Sequence, residues 1–156
     1  MVFLDTGFFV GSANRSDNWH LHSKQIMAEI LNGRHGKPLT CDYVLDEVVT
    51  NVWKRTKNVR IAGEIGREII SAGHWTMKFV PPECVRACVE SVNKYRDMPM
   101  SFTDWVVTWM AGEYGHSTIV TTDEILSKYA SKWNLKSVLL MENGEYEKHQ
   151  RAVMEG

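Results

Sequence analysis

Four acidic residues stand where a folded chain could gather them. Asp5 closes the apolar run Val2-Phe3-Leu4, and Glu47 lies within a helical pattern of Tyr43, Val44, Val48, Asn51 and Val52. Asp104 opens the pattern Phe102, Trp105, Val106, Trp109, Met110, and Asp123 follows the β-branched run Thr118-Ile119-Val120. Carboxylates brought together repel, and without a counter-charge some must take up protons. Mg²⁺ or Mn²⁺ removes the conflict, because both are hard cations that accept oxygen ligands and keep several waters. Such an ion lowers the pKa of a bound water and shields a phosphodiester, so the quartet points to metal-assisted phosphodiester hydrolysis.

Each acid also has a purely architectural reading. Ser101 and Asp104 form an S-x-x-D pattern that starts a helix, and Asp123 with Thr121 and Glu124 suits a second helix start. Glu47 beside Asp46 fits a solvated helix face, and Asp5 with Thr6 fits an Asx-type turn. Asp5 is the hardest to explain this way, since a carboxylate ending a buried strand costs desolvation energy unless paired. Adjacent helical residues project about 100° apart, so only one of Asp46 and Glu47 faces a crevice. Glu47 is chosen because it lies with Val44 and Val48 near the core side. Asp97 reads as loop. The hydroxyls of Thr6 and Thr121 are candidates to orient the ligating carboxylates.

The elements that must position these residues follow from periodicity. Val2–Asp5, Lys37–Cys41, His74–Val80, Thr118–Val120 and Lys136–Leu140 read as five strands. Between them, helical patterns run over residues 18–32, through Tyr43–Val52, and through IAGEIGREIISAG, ECVRACVESVNKYR, SFTDWVVTWMAGEYG and EILSKYASKW. Strands alternating with helices predict an α/β fold, a three-layer α/β/α sandwich with a central parallel sheet of about five strands. Ligands of such sheets bind beyond the carboxyl ends of the strands, where strand order reverses. If the first and fourth strands are neighbours, Asp5 and Asp123 converge. The chain reads as one domain over residues 1–141, with residues 142–156 a polar C-terminal tail or short helix of that domain.

Composition narrows the classes. The 156 residues are 44% hydrophobic and 24% charged, which excludes disorder and collagen-like repeats. No apolar run approaches the ~20 residues that span a bilayer, and the N-terminus lacks a basic leader, so a cytoplasmic protein is expected. Eighteen Lys and Arg against nineteen Asp and Glu give a net charge of −1, not the basic balance of many nucleic-acid binders. If nucleic acid is the partner, the positive surface must be local, and Lys54, Arg55, Lys57 and Arg60 are its candidates, with a solvated basic face as the plain alternative. Of the six tryptophans, Trp105 and Trp109 lie on the apolar stripe and are expected in the core or a dimer contact. A base-stacking platform, if the six include one, is then sought among Trp19, Trp53, Trp75 and Trp133. Zinc is not expected: His20 and His22 splay at i, i+2, and Cys41, Cys84 and Cys88 form no CxxC pair. Gly63-x-x-Gly66 follows no strand and is no phosphate loop.

The segments FLDTGFFVG, DYVLDEVVTNV, SFTDWVVTWMA and IVTTDEIL occur in the order and spacing of PIN-domain nucleases, and the chain resembles in particular the VapC-type toxins of prokaryotic toxin–antitoxin pairs and their archaeal relatives. The resemblance covers about residues 2–140. It implies a PIN-like fold and a Mg²⁺- or Mn²⁺-dependent endoribonuclease. Asp5, Glu47, Asp104 and Asp123 would be the metal-binding and catalytic residues, with Glu47 helping to activate the attacking water and a product ending in a 5′-phosphate. It also implies a homodimer and a small antitoxin partner. Leu126 departs from the pattern, which usually has an aromatic residue there. Aspartyl phosphoryl transfer would need D-x-D, and Asp5-Thr6-Gly7 supplies no second aspartate. A non-catalytic RNA-binding or protein-interaction module on the same scaffold is the alternative.

Overall fold

In the computed structural model, which describes residues 1–115 and 118–155, strands and helices alternate along almost the whole chain. They are β1 (Val2–Leu4), α1 (Thr6–Ala13), α2 (His20–Leu31), β2 (Leu39–Cys41), α3 (Asp42–Thr56), α4 (Val59–Ser71), β3 (Thr76–Lys78) and α5 (Pro82–Lys94). There follow α6 (Phe102–Glu113), β4 (Thr118–Thr121), α7 (Glu124–Ala130), a 3₁₀ turn (Ser131–Trp133), β5 (Lys136–Leu139) and α8 (Asn143–Glu155).

The sheet order is β3-β2-β1-β4-β5 and every pairing is parallel. The helices flank this sheet, giving the three-layer α/β/α architecture expected. Phe3, Leu4, Ile119 and Val120 are fully buried in the two central strands, whereas β3 and β5 at the edges are partly exposed. That gradient is what a parallel sheet covered on both faces requires of its middle and edge strands. Chain order reverses between β1 and β4, which pair in register from Val2↔Thr118 to Leu4↔Val120.

Two local expectations are corrected, those for the start of the chain and for β3. Residues 6–13 form helix α1, not a simple turn after Asp5. Its sequence, TGFFVGSA, has weak intrinsic helix preference, so tertiary contact imposes the helix. A Cβ on Gly7 would lie 2.1 Å from Thr122 Oγ1, so only glycine lets the first turn of α1 pass this close to the end of β4. Strand β3 is shorter than the alternation suggests, and the polar tail is a regular helix, α8, with no buried residue. Helix α6 is buried on most of its circumference: Asp104, Val107 and Thr108 are buried together with Trp105, Val106 and Met110, while Trp109 and Phe102 are only half-buried. Asp104 thus belongs to a central helix, not to a solvated edge. The three cysteines are free and buried. Among the described residues no helix is long and apolar enough to cross a membrane.

Candidate active site

Asp5 leaves the end of β1 still on the sheet ladder, its N–H donating to Val120 O at 3.1 Å. It occupies the N-cap position of α1 without making a side-chain cap bond, so the Asx-turn reading does not hold. Its carboxylate instead takes a 2.6 Å hydrogen bond from Thr121 Oγ1 across the β1/β4 crossover. The residue is 5% exposed. Burial pushes its pKa up to about 7, with the charges of Asp104 and Glu47 adding to the rise, against the lowering effect of the Thr121 hydroxyl and the nearby Thr6 amide.

The same Thr121 hydroxyl accepts the N–H of Asp123 at 2.9 Å, joining the two strand ends through one oxygen. Asp123 Oδ1 in turn accepts from the N–H groups of Ile125 and Leu126 at 2.7 and 2.9 Å, capping α7. Asp104 closes a reciprocal capping box: Ser101 N–H donates to Oδ2 at 2.7 Å, and Asp104 N–H donates to Ser101 Oγ at 3.1 Å. Burial raises Asp104 to about 6, with Asp123 and Glu47 as contributing negative neighbours and the Ser101 N–H acting in the opposite sense. Glu47 Oε2 receives the Thr6 hydroxyl at 3.3 Å. These bonds engage one named oxygen of each acid, and a carboxylate offers about four lone-pair sites, so capping leaves acceptor capacity on each.

All four acids line one crevice of about 190 Å³ at the carboxyl end of the sheet, with Thr6, Asn51 and Ser101 also in its wall. Asp46 is exposed and Asp97 lies exposed in the loop before α6; neither lines the crevice. Among the described residues, no three His, Cys, Asp or Glu side chains close into a ready-made metal cage. The donor set nonetheless suits Mg²⁺ or Mn²⁺: it is all oxygen, burial raises the pKa of two members, and Mg²⁺ is characteristically held by one or two carboxylates plus waters.

The basic run divides. Arg55 reaches the crevice, where its Nη1 donates to Asp17 Oδ2 at 2.6 Å. Lys54 is exposed, Lys57 ends α3 in a left-handed conformation with its Nζ 5.9 Å from the Trp53 ring centre, and Arg60 sits 3.7 Å from Glu64. None of those three lines the crevice. Trp19 is in its wall, whereas Trp105 is buried in an aromatic cluster with Tyr95 and Trp133. Sequence reasoning missed Asp17. It lies in the polar turn SANRSDNW, where no periodicity marks it, and its partner is 38 residues away.

No known protein-family model matches the sequence, and no curated protein matches it. Solved structures do. The Mycobacterium tuberculosis protein VapC20, described as a sarcin-ricin loop cleaving toxin, superposes with a TM-score of 0.74 at 20% identity, covering 82% of this chain and 94% of its own. PAE2754 from Pyrobaculum aerophilum superposes with a TM-score of 0.57 at 15% identity, covering 88% of each chain. With its five parallel strands, its strand order and its crossover crevice, the chain has a PIN-like fold of the VapC type.

Proposed function

We propose that this protein is a Mg²⁺- or Mn²⁺-dependent endoribonuclease that hydrolyses RNA phosphodiester bonds, and that it is the toxin of a toxin–antitoxin pair. The observation that carries the reading is the crevice at the β1/β4 crossover: four carboxylates from four separate elements line it, and two of them are pushed toward protonation. Burial is the main cause of that rise, with the neighbouring carboxylates adding to it, and perturbed carboxylates gathered in a cleft are characteristic of functional sites. The VapC20 likeness directs the choice of RNA and of a toxin role.

A bound divalent ion would supply Lewis acidity and a water of lowered pKa. Asp5, Asp104 and Asp123 would hold it, with Thr121 and the Ser101 amide fixing the first two carboxylates in orientation. Glu47, oriented by Thr6, would accept the proton of the attacking water. Attack of that water would form a new P–O bond and break the P–O3′ bond, leaving one fragment with a 5′-phosphate and the other with a 3′-oxygen that takes a proton from solvent. Lys54, Arg55, Lys57 and Arg60 provide the positive shoulder along which the RNA backbone runs, with Arg55 its innermost member. Cytoplasmic location, a homodimer and control by a small antitoxin belong to the same proposal.

The test is cleavage of a single-stranded RNA substrate by wild type, Asp5→Asn and Asp104→Asn, with Mg²⁺ and with EDTA. Cleavage by the wild type alone, abolished by EDTA, is expected. Equal cleavage by all three, or cleavage that survives chelation, overturns the proposal in favour of a different chemistry.

A further inference from the structure

We infer that the Asp17–Arg55 pair is the substrate-anchoring element of this crevice: Arg55 binds an RNA phosphate flanking the scissile one, and Asp17 is the positioning residue that aims it. This rests on the nuclease reading above. Along α3, Glu47, Asn51 and Arg55 recur at i, i+4 and i+8 and all line the crevice. Eight residues of helix separate the backbones of Glu47 and Arg55 by about 12 Å along the axis, so Arg55 enters the crevice from the end away from Glu47, where a phosphate flanking the scissile one would lie. The walls are otherwise acidic, so an incoming polyanion needs a cation that stays in place.

Asp17 keeps Arg55 there. Its side chain is 2% exposed and both oxygens are occupied, Oδ2 by Arg55 at 2.6 Å and Oδ1 by the Trp19 N–H at 3.1 Å. The turn that carries Asp17 is fastened to the start of α8: Asn143 Nδ2 donates to Asp17 O at 3.0 Å, Asn143 N–H donates to Asn18 O at 2.6 Å, and Leu21 N–H donates to Asn143 Oδ1 at 2.9 Å. The Arg55 side chain, by contrast, is 52% exposed. A guanidinium carries five N–H donors in a rigid fork, so a bond through Nη1 leaves donors for a phosphate.

Steady-state cleavage of a single-stranded RNA oligonucleotide with Mg²⁺, over a range of salt, tests this in wild type, Arg55→Met, Arg55→Lys, Asp17→Asn and the Asp17→Asn/Arg55→Met double variant. Arg55→Met is expected to raise KM about tenfold with kcat little changed, and to make the salt dependence of log kcat/KM shallower by about 0.7, one lost phosphate contact. Asp17→Asn should raise KM in the same direction, and the double variant should be no worse than Arg55→Met, because the two residues act as a unit. Arg55→Lys keeps the charge and should restore the salt slope without the full KM; it carries the test if the Met variant does not fold. Wild-type KM and salt slope in the Arg55 variants, with only a lower Tm, would reduce the pair to architecture and overturn the inference while leaving the nuclease. No cleavage by wild type would remove both.

Discussion

A carboxylate shielded from water needs either a proton or a positive neighbour, and Asp5 and Asp104 are supplied with neither by their own chain. Thr121 is the residue that makes this arrangement orderly. Its single hydroxyl donates to Asp5 and accepts from the Asp123 backbone, so it sets the relative position of two ligand candidates that lie on different strands. Thr121→Val preserves shape in a fully buried position and removes both bonds. Loss of such an orienting group typically lowers metal affinity or activity about 10–100-fold, and a Mg²⁺ titration of RNA cleavage should show a loss of that size. Unchanged Mg²⁺ dependence would mean that Asp5 is held by packing alone.

At the scale of elements, the same carboxylates that face the crevice also start helices. Asp123 caps α7, whose Leu126 is fully buried in the core. Asparagine caps as well as aspartate and alanine does not, which separates the two roles. Asp123→Asn is expected to melt near the wild-type Tm and to lose cleavage. Asp123→Ala should lose cleavage and also about 1 kcal/mol of stability, or roughly 2–4 °C in Tm for a chain of this length. An Asn variant that cleaves normally would leave Asp123 with the cap alone. The helix start of α6 was legible from S-x-x-D and that of α7 from Asp123 as its cap, although Thr121 and Glu124 form no T-x-x-E box there, whereas α1 was not legible. Its glycines and aromatic residues carry little local preference for helix, and the close pass of Gly7 against Thr122 exists only after β1 and β4 have paired.

For the whole molecule, the site's charge is tied to folding. Burial holds Asp5 near 7 and Asp104 near 6, against an ordinary value of 3.8 for each. Between the ordinary and raised values these two groups bind more protons in the folded protein than in the unfolded chain, so their contribution to stability is greatest on the acid side and declines as pH rises from about 4 to about 7, while the lowered His22 and Glu29 act in the opposite sense. A cation that binds the ionised carboxylates opposes that decline, and its effect grows with pH. Thermal melts in EDTA should give a Tm that drops by several degrees between about pH 5 and about pH 8. Mg²⁺ should raise Tm more at the higher pH. A Mg²⁺ effect independent of pH would place the ion away from Asp5 and Asp104.

The residue pattern by itself determined the alternation of strands and helices, the parallel sheet, and the placement of Asp5, Asp104 and Asp123 at element ends and of Glu47 on a helix, because periodicity and capping are encoded over a few neighbouring positions. It distinguished Glu47 from the exposed Asp46 for the same reason: one helical turn tells which side is buried. Strand order lay outside its reach, and with it the meeting of Asp5 and Asp123, since either neighbour of β1 satisfies the same local pattern. So did Asp17 and its hold on Arg55, and the desolvation that raises Asp5 and Asp104. Pairing partners and burial depend on which distant surfaces pack together, and only the tertiary structure decides that.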